Sequence, residues 1–283
     1  MRFFFKKYRW YVIIVLIMTT ILVWHTILIE GEKVLEISFF DVGQGDAIFI
    51  KSPDGNQVLV DGGPPNGRVL RELGKAMPFY DRFIDVVIAT HSDQDHLGGL
   101  IDVLERYKIG LVIDSGVYGE GASHTQEKLL LENKKIKTIT GKRGTTLDLG
   151  DGVRLEILFP DRDVAGMESN STSIITRLVY KNHEFLLTGD APQNIENYIV
   201  SEGDIKSDVL KVGHHGSNTS TSPIFLGKVK PNFAIISAGK DNPYGHPHKE
   251  VVSLLENFGV TVFETSKMGT ITFVSDGRDL KIK

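Results

Sequence analysis

Ile84-Asp85-Val86-Val87-Ile88-Ala89-Thr90-His91-Ser92-Asp93-Gln94-Asp95-His96-Leu97-Gly98-Gly99 organises the reading of the whole chain. Its first seven residues are mostly apolar and β-branched, as a buried strand requires. Leu100 to Arg106 carries apolar residues at helical spacing. His91 to His96 therefore fall in a strand-to-helix turn, where open α/β sheets place their ligand sites. Four of these six residues, His91, Asp93, Asp95 and His96, are metal-ligand types. A mixed nitrogen and oxygen set suits zinc, manganese or iron better than calcium or magnesium. Without a cation, two close carboxylates would raise each other's pKa. A solvated polar loop is the plain alternative. The density of ligands at a strand end argues against it.

Other stretches carry related chemistry. Asp190 ends Thr188-Gly189-Asp190, between a strand from Glu184 and a helix over 191–201, and is a further carboxylate at a strand-to-helix turn. His214 and His215 follow the strand 207–213. Neighbours on a strand point to opposite faces, so one histidine ligates while the other packs or meets substrate. The residues do not decide which. His246 and His248, flanking Pro247, are candidates for phosphate contact or proton donation to a leaving group. Lys211 and Lys240 can balance phosphate charge, or sit on the surface.

His-x-Asp-x-Asp-His before Leu-Gly-Gly resembles the metal-binding signature of the metallo-β-lactamase superfamily, whose commoner form has histidine at the position of Asp93. The carboxylate makes the site harder. This variant is similar to that of the hydrolase domain of the ComEC family of bacterial DNA-uptake channel proteins. Asp41-Val-Gly-Gln-Gly-Asp46, Val60-Asp61-Gly62-Gly63, Val212-Gly-His-His-Gly-Ser217 and Tyr244-Gly-His-Pro-His248 resemble the same family. The likeness covers residues 34–283. It implies an α/β fold of the αβ/βα sandwich type, and a metal-dependent hydrolase that holds two divalent ions, zinc or manganese. His91, Asp93 and Asp190 would hold one ion. Asp95, His96, Asp190 and one of His214 and His215 would hold the other. Asp61 would orient a ligand from beneath, and Asn170 and Ser173 would meet a metal water or a substrate oxygen. Asp95, His246 and His248 form the catalytic group in this reading. The implied substrate is a phosphodiester, single-stranded DNA among the options, cleaved by a metal-activated hydroxide. Competence is the implied setting. A phosphocholine ester, a lipid-linked phosphate, a lactam, or a non-catalytic metal-binding role are the alternatives.

The chain has 283 residues, 41% hydrophobic and 24% charged, an ordinary globular composition. It has no cysteine, so any metal must use His, Asp and Glu. The net charge is −4 although Arg2, Lys6, Lys7 and Arg9 precede any acidic residue. The remainder is thus more acidic still, and nucleic acid would be handled in a local site rather than on a basic face. Residues 1–9 read as a basic flank, 10–29 as a transmembrane anchor and 30–283 as the hydrolase domain. The run from Trp10 to Ile29 has no formal charge, and ~20 residues at ~1.5 Å each match a ~30 Å hydrocarbon core. No small-residue cleavage site follows. The expectation is a single-pass cell-membrane protein, N-terminus cytoplasmic and hydrolase domain outside. No protein partner is legible.

Overall fold

The computed structural model describes residues 2–29, 33–119 and 121–283, with side chains not described for 2–7, 25–29 and 122. The chain divides into two units, residues 1–33 and 34–283. The first contains helix α1 (Arg2–Ile29). The expected membrane anchor is corrected here: among the described residues no helix is long and apolar enough to cross a membrane. The single-pass topology, the extracytoplasmic placement and the membrane partnership rested on that span and fall with it. The expected junction after Ile29 includes residues 30–32, which lie outside the described residues.

The second unit is built on two mixed sheets. The first sheet starts with β1 (Leu35–Phe39), β2 (Ile48–Lys51), β3 (Gln57–Val60), β4 (Phe83–Ile88), β5 (Lys108–Asp114) and β6 (Lys137–Thr140). The second collects β7 (Thr146–Asp148), β8 (Val153–Phe159), β9 (Ile175–Tyr180), β10 (His183–Leu187), β11 (Val209–Lys211), β12 (Phe233–Ile236) and β13 (Thr261–Glu264). β14 (Ile271–Ser275) and β15 (Leu280–Ile282) return to the first. Its order is β15-β14-β1-β2-β3-β4-β5-β6, and that of the second is β13-β12-β11-β10-β9-β8-β7. β3 to β6 run parallel, as do β10 to β13, and the remaining pairs are antiparallel.

Strand alternation sends one set of side chains between the sheets, including Ile37, Phe39, Ile50, Val58, Leu155, Leu178, Phe185 and Phe273. The opposite set is also buried. Leu59 and Val87 meet Val69 and Leu73 of α2 (Arg68–Ala76) and Leu100 and Val103 of α3 (Gln94–Arg106). α4 (Ala122–Lys134) adds Leu131. On the second sheet, Leu186 and Leu210 meet α5 (Gln193–Glu202), α6 (Pro223–Val229) and α7 (Lys249–Asn257) through Ile199, Phe225 and Leu255. Burial on both faces is why the parallel strands read as continuous apolar runs. The result is the αβ/βα sandwich, and the carboxyl ends of both parallel halves carry the polar loops. α6 is absent from the sequence reading, although Ser222 caps it and Pro223 opens it.

Candidate metal centre

α3 starts earlier than its apolar spacing predicts. Asp93 stands at its N-cap, so Asp95 and His96 lie in the first helical turn. The Asp93 carbonyl accepts from the His96 and Leu97 amides, but its side chain caps nothing. An N-cap aspartate normally uses that carboxylate on the helix. Here Asp93 Oδ2 instead lies 3.7 Å from His91 Nε2. The helix start is pressed onto the end of β3: a Cβ on Gly99 would sit 2.0 Å from the Gly62 carbonyl oxygen. That contact is the physical content of the paired glycines in Leu-Gly-Gly and Asp-Gly-Gly.

Each histidine of the cluster is turned the same way. His96 Nδ1 donates to Asp61 Oδ2 at 2.8 Å. Thr90 donates its hydroxyl to the same oxygen at 2.7 Å, so its own oxygen accepts from His91 Nδ1 at 2.9 Å. His215 Nδ1 donates to the Ser237 carbonyl at 2.9 Å. Thr219 donates to Ser217 and so accepts from His214 Nδ1, also at 2.9 Å. All four rings thus turn Nε2 toward the cluster, the nitrogen free to serve a metal once its proton is displaced.

Those four Nε2 atoms converge on Asp190 Oδ2. The separations are 3.3 Å for His96, 3.4 Å for His215, and 3.9 Å for both His91 and His214. His96 Nε2 and His215 Nε2 are 3.3 Å apart, and Asp95 Oδ2 is 3.3 Å from His215 Nε2. A tetrahedral ion with bonds of ~2.0–2.2 Å has ligand atoms ~3.3–3.6 Å apart. The His96, Asp190 and His215 atoms match that spacing, and Asp95 Oδ2 matches it toward His215. Asp190 is held from behind, its amide donating to Ser173 Oγ at 3.2 Å. Asp46, His96, Asp190 and His215 also offer ligand atoms all within 4.8 Å of one another.

Asp46 was not anticipated as part of the site. It is fully buried between β1 and β2, and its Oδ2 pairs with Lys211 Nζ at 2.7 Å. Its Oδ1 lies 3.3 Å from His215 Nδ1, the nitrogen turned away from the cluster. Asp46 therefore braces His215 from behind. Lys211 gave the available signal: a lysine inside the apolar run Val209-Leu-Lys-Val must find a buried carboxylate.

The electrostatics ask for positive charge. Burial is the largest influence and opposes charging His96 and His215, yet the carboxylates together hold both well above the usual imidazole range, Asp190 and Asp61 acting on His96, and Asp190, Asp46 and Asp95 on His215. Burial would raise Asp190 too, but His215 and His96 pull it well below the usual carboxylate range. Asp46 is likewise pushed up by burial, and Lys211 and His215 bring it down to about 2. His91 is pushed down by burial and by His96. The Nε2 of His91 and the Oδ1 of Asp190 are buried with no hydrogen-bond partner. Orphaned acceptors beside anionic carboxylates fit one or two divalent cations.

Two expectations are corrected. His214 and His215 do not point to opposite faces, because they lie in a left-handed turn rather than on a strand, at φ 48° and 54°. Both therefore aim Nε2 at Asp190. Lys211 is fully buried on Asp46 and the Val212 carbonyl, so it does not offer charge to a bound phosphate. Lys240 is exposed. His246 packs its ring 5.5 Å from His214 and 4.9 Å from His248. Burial, then His215, His214 and His248, push His246 down to about 4, so its ring is neutral near pH 7. His248 Nδ1 accepts from the Asn218 amide at 2.9 Å. The Asn170 Oδ1 is buried without a partner.

A sequence model of the family described as Metallo-beta-lactamase superfamily matches residues 40–240. The chain is 35% identical to ComE operon protein 3 of Bacillus subtilis over 260 residues, 84% of this chain and 33% of that protein. It is 32% identical to Recombination protein 2 of Haemophilus influenzae over 263 residues, 91% of this chain and 31% of that protein. It is 28% identical to Competence protein ComA of Neisseria gonorrhoeae over 254 residues, 86% and 32%. The chain thus spans about a third of the length of these relatives. Among solved structures, the metallo-beta-lactamase fold protein YhfI of Bacillus subtilis superposes with a TM-score of 0.55 at 15% identity, covering 85% of this chain and all of that one. Igni18, a metallo hydrolase of Ignicoccus hospitalis, gives 0.54 at 15% identity, covering 85% and 98%. At that identity the superpositions speak for the fold alone.

Proposed function

The chain belongs to the metallo-β-lactamase superfamily, and from that premise we propose that it is a binuclear phosphodiesterase acting on nucleic acid. The observation that carries the reading is the convergence of four histidine Nε2 atoms on one buried carboxylate, with Asp93 and Asp95 at its rim. His91, Asp93 and Asp190 would hold one ion, and Asp95, His96, Asp190 and His215 the other, with zinc and manganese the candidates. Such ions, when bound, supply Lewis acidity and lower the pKa of coordinated water. The protein's share is orientation. Asp61 and Thr90 fix the tautomers of His96 and His91, Ser237 and Asp46 fix His215, and Ser173 fixes the turn that presents Asp190. Asp95, His246 and His248 are the groups we assign to the reacting oxygens, and Asn170 to a substrate oxygen. His246, neutral near pH 7, can hold one proton at the leaving oxygen without adding a charge. Homology to competence and recombination proteins supports nucleic acid as the substrate class.

The test is direct. The purified chain is loaded with zinc or manganese, its metal content measured, and a single-stranded oligonucleotide supplied beside a Asp190→Ala control. Retained metal with Asp190-dependent strand cleavage is the expected result. Metal retained without cleavage of the oligonucleotide, but with turnover of a small phosphodiester, moves the substrate away from nucleic acid.

A further inference from the structure

We infer that Tyr244 is a stacking platform for the nucleobase next to the phosphodiester held at the metal centre; the inference rests on the phosphodiesterase reading and deepens it. The Tyr244 ring lies parallel to His246, centroids 5.7 Å apart and planes 24° from each other. His246 in turn lies 6.3 Å from His215 and 5.5 Å from His214. A file of rings thus leads from the metal cluster outward and ends on Tyr244, which is 63% exposed. His246 flanks the Tyr244 ring, and most of the tyrosine's surface is free.

A lone exposed tyrosine is ordinary. This one is held in place. Asn242 Oδ1 accepts from the amides of both Tyr244 and His246, and Asn242 Nδ2 donates to the carbonyls of Gly239 and His246. Pro247 packs on Gly216 so closely that no Cβ would fit there. A loop backbone fixed before binding presents its ring with less loss of freedom. The Nδ1 of His246, between platform and cluster, is buried and unpartnered. Charge points the same way: at net −4 the chain has no general attraction for a phosphate backbone. Beyond the one phosphodiester held at the metal centre, affinity for single strands then comes from bases, and base–aromatic stacking tolerates any sequence.

The experiment compares wild type, Tyr244→Ala and Tyr244→Phe, all metal-loaded full chain, on a single-stranded oligonucleotide and on an abasic strand of equal length. The kcat/KM ratio of base-bearing to abasic strand should fall about tenfold in Y244A and persist in Y244F. In parallel, an oligonucleotide carrying 2-aminopurine should lose fluorescence on binding wild type and Y244F but not Y244A. That second readout holds even if no variant cleaves DNA, which would sink the nuclease reading alone. Equal losses on both strands, or quenching that survives in Y244A, would overturn the platform, as would a wild type that binds neither strand.

Discussion

Asp61 uses both carboxylate oxygens on the metal loop: one accepts the Thr90 amide at 2.8 Å, the other the Thr90 hydroxyl and His96 Nδ1. Its replacement by alanine frees two histidine rings at once. Asp61→Ala should weaken metal binding about 10- to 100-fold, the usual loss for a group that orients a ligand, read by chelator competition. Affinity within twofold of wild type would refute that role. Lys211 and Asp46 form a fully buried ion pair. Lys211→Met leaves Asp46 charged and unpaired, and should cost about 3–5 kcal/mol in urea unfolding. The double variant Lys211→Met/Asp46→Asn should recover part of that loss, because no bare charge remains. A double variant no better than the single would show that the pair is not the cause. At this scale the sequence shows ligands well and their supports poorly. Four potential ligands in six residues are visible directly, whereas Asp46 gains meaning only when β11 brings Lys211 against it.

Elements set the aim of those residues. The packing of α3 on β3 leaves no room at Gly99, where a Cβ would meet the Gly62 carbonyl. Gly99→Ala should lower stability by about 1–3 kcal/mol and shift Asp95 and His96, seen as a lower melting temperature together with weaker metal uptake. Unchanged melting would refute the contact. On the second sheet, Glu196 of α5 accepts the amides of Thr221 and Ser222 at the start of α6. Burial raises its pKa to about 7, although those two amides hold it down. The folded protein therefore keeps a proton that the unfolded chain releases near pH 4.5, so this contribution to stability falls as pH rises from about 4.5 to about 7 and is flat above. Measured as wild type minus Glu196→Gln, the fall should approach about 3 kcal/mol. A difference that does not change between pH 5 and 8 would contradict the shift. The helical start at Gln94 and the turn at His214-His215 illustrate why element boundaries were hard to read. Apolar spacing marks the middle of a helix, and its first turn here is polar because it carries the site.

Across the whole domain, loops from both sheets meet at one edge, and the cluster gathers four buried or half-buried carboxylates: Asp46, Asp61, Asp95 and Asp190. Ions that bind only the folded state stabilise it by mass action, about 2.7 kcal/mol at a hundred times the Kd. Zinc or manganese should therefore raise the melting temperature, a chelator should reverse the rise, and Asp190→Ala should abolish it. A chain whose melting ignores both metals would contradict the assigned centre. From residues alone came the buried strands, the ligand-rich loop at a strand end and the absence of thiolate ligands, which are local properties of period, composition and spacing. The sandwich and the superfamily came instead from the resemblance of the motifs to a known family. Tertiary structure alone decided that both His214 and His215 face Asp190, that Asp46 braces His215, and that Lys211 is sealed inside. Nor, among the described residues, is any helix long and apolar enough for the membrane span that apolar composition had suggested. Direction in space is the reason: a side chain's aim depends on backbone turns and on partners far away in the chain, and neither is written in the residues beside it.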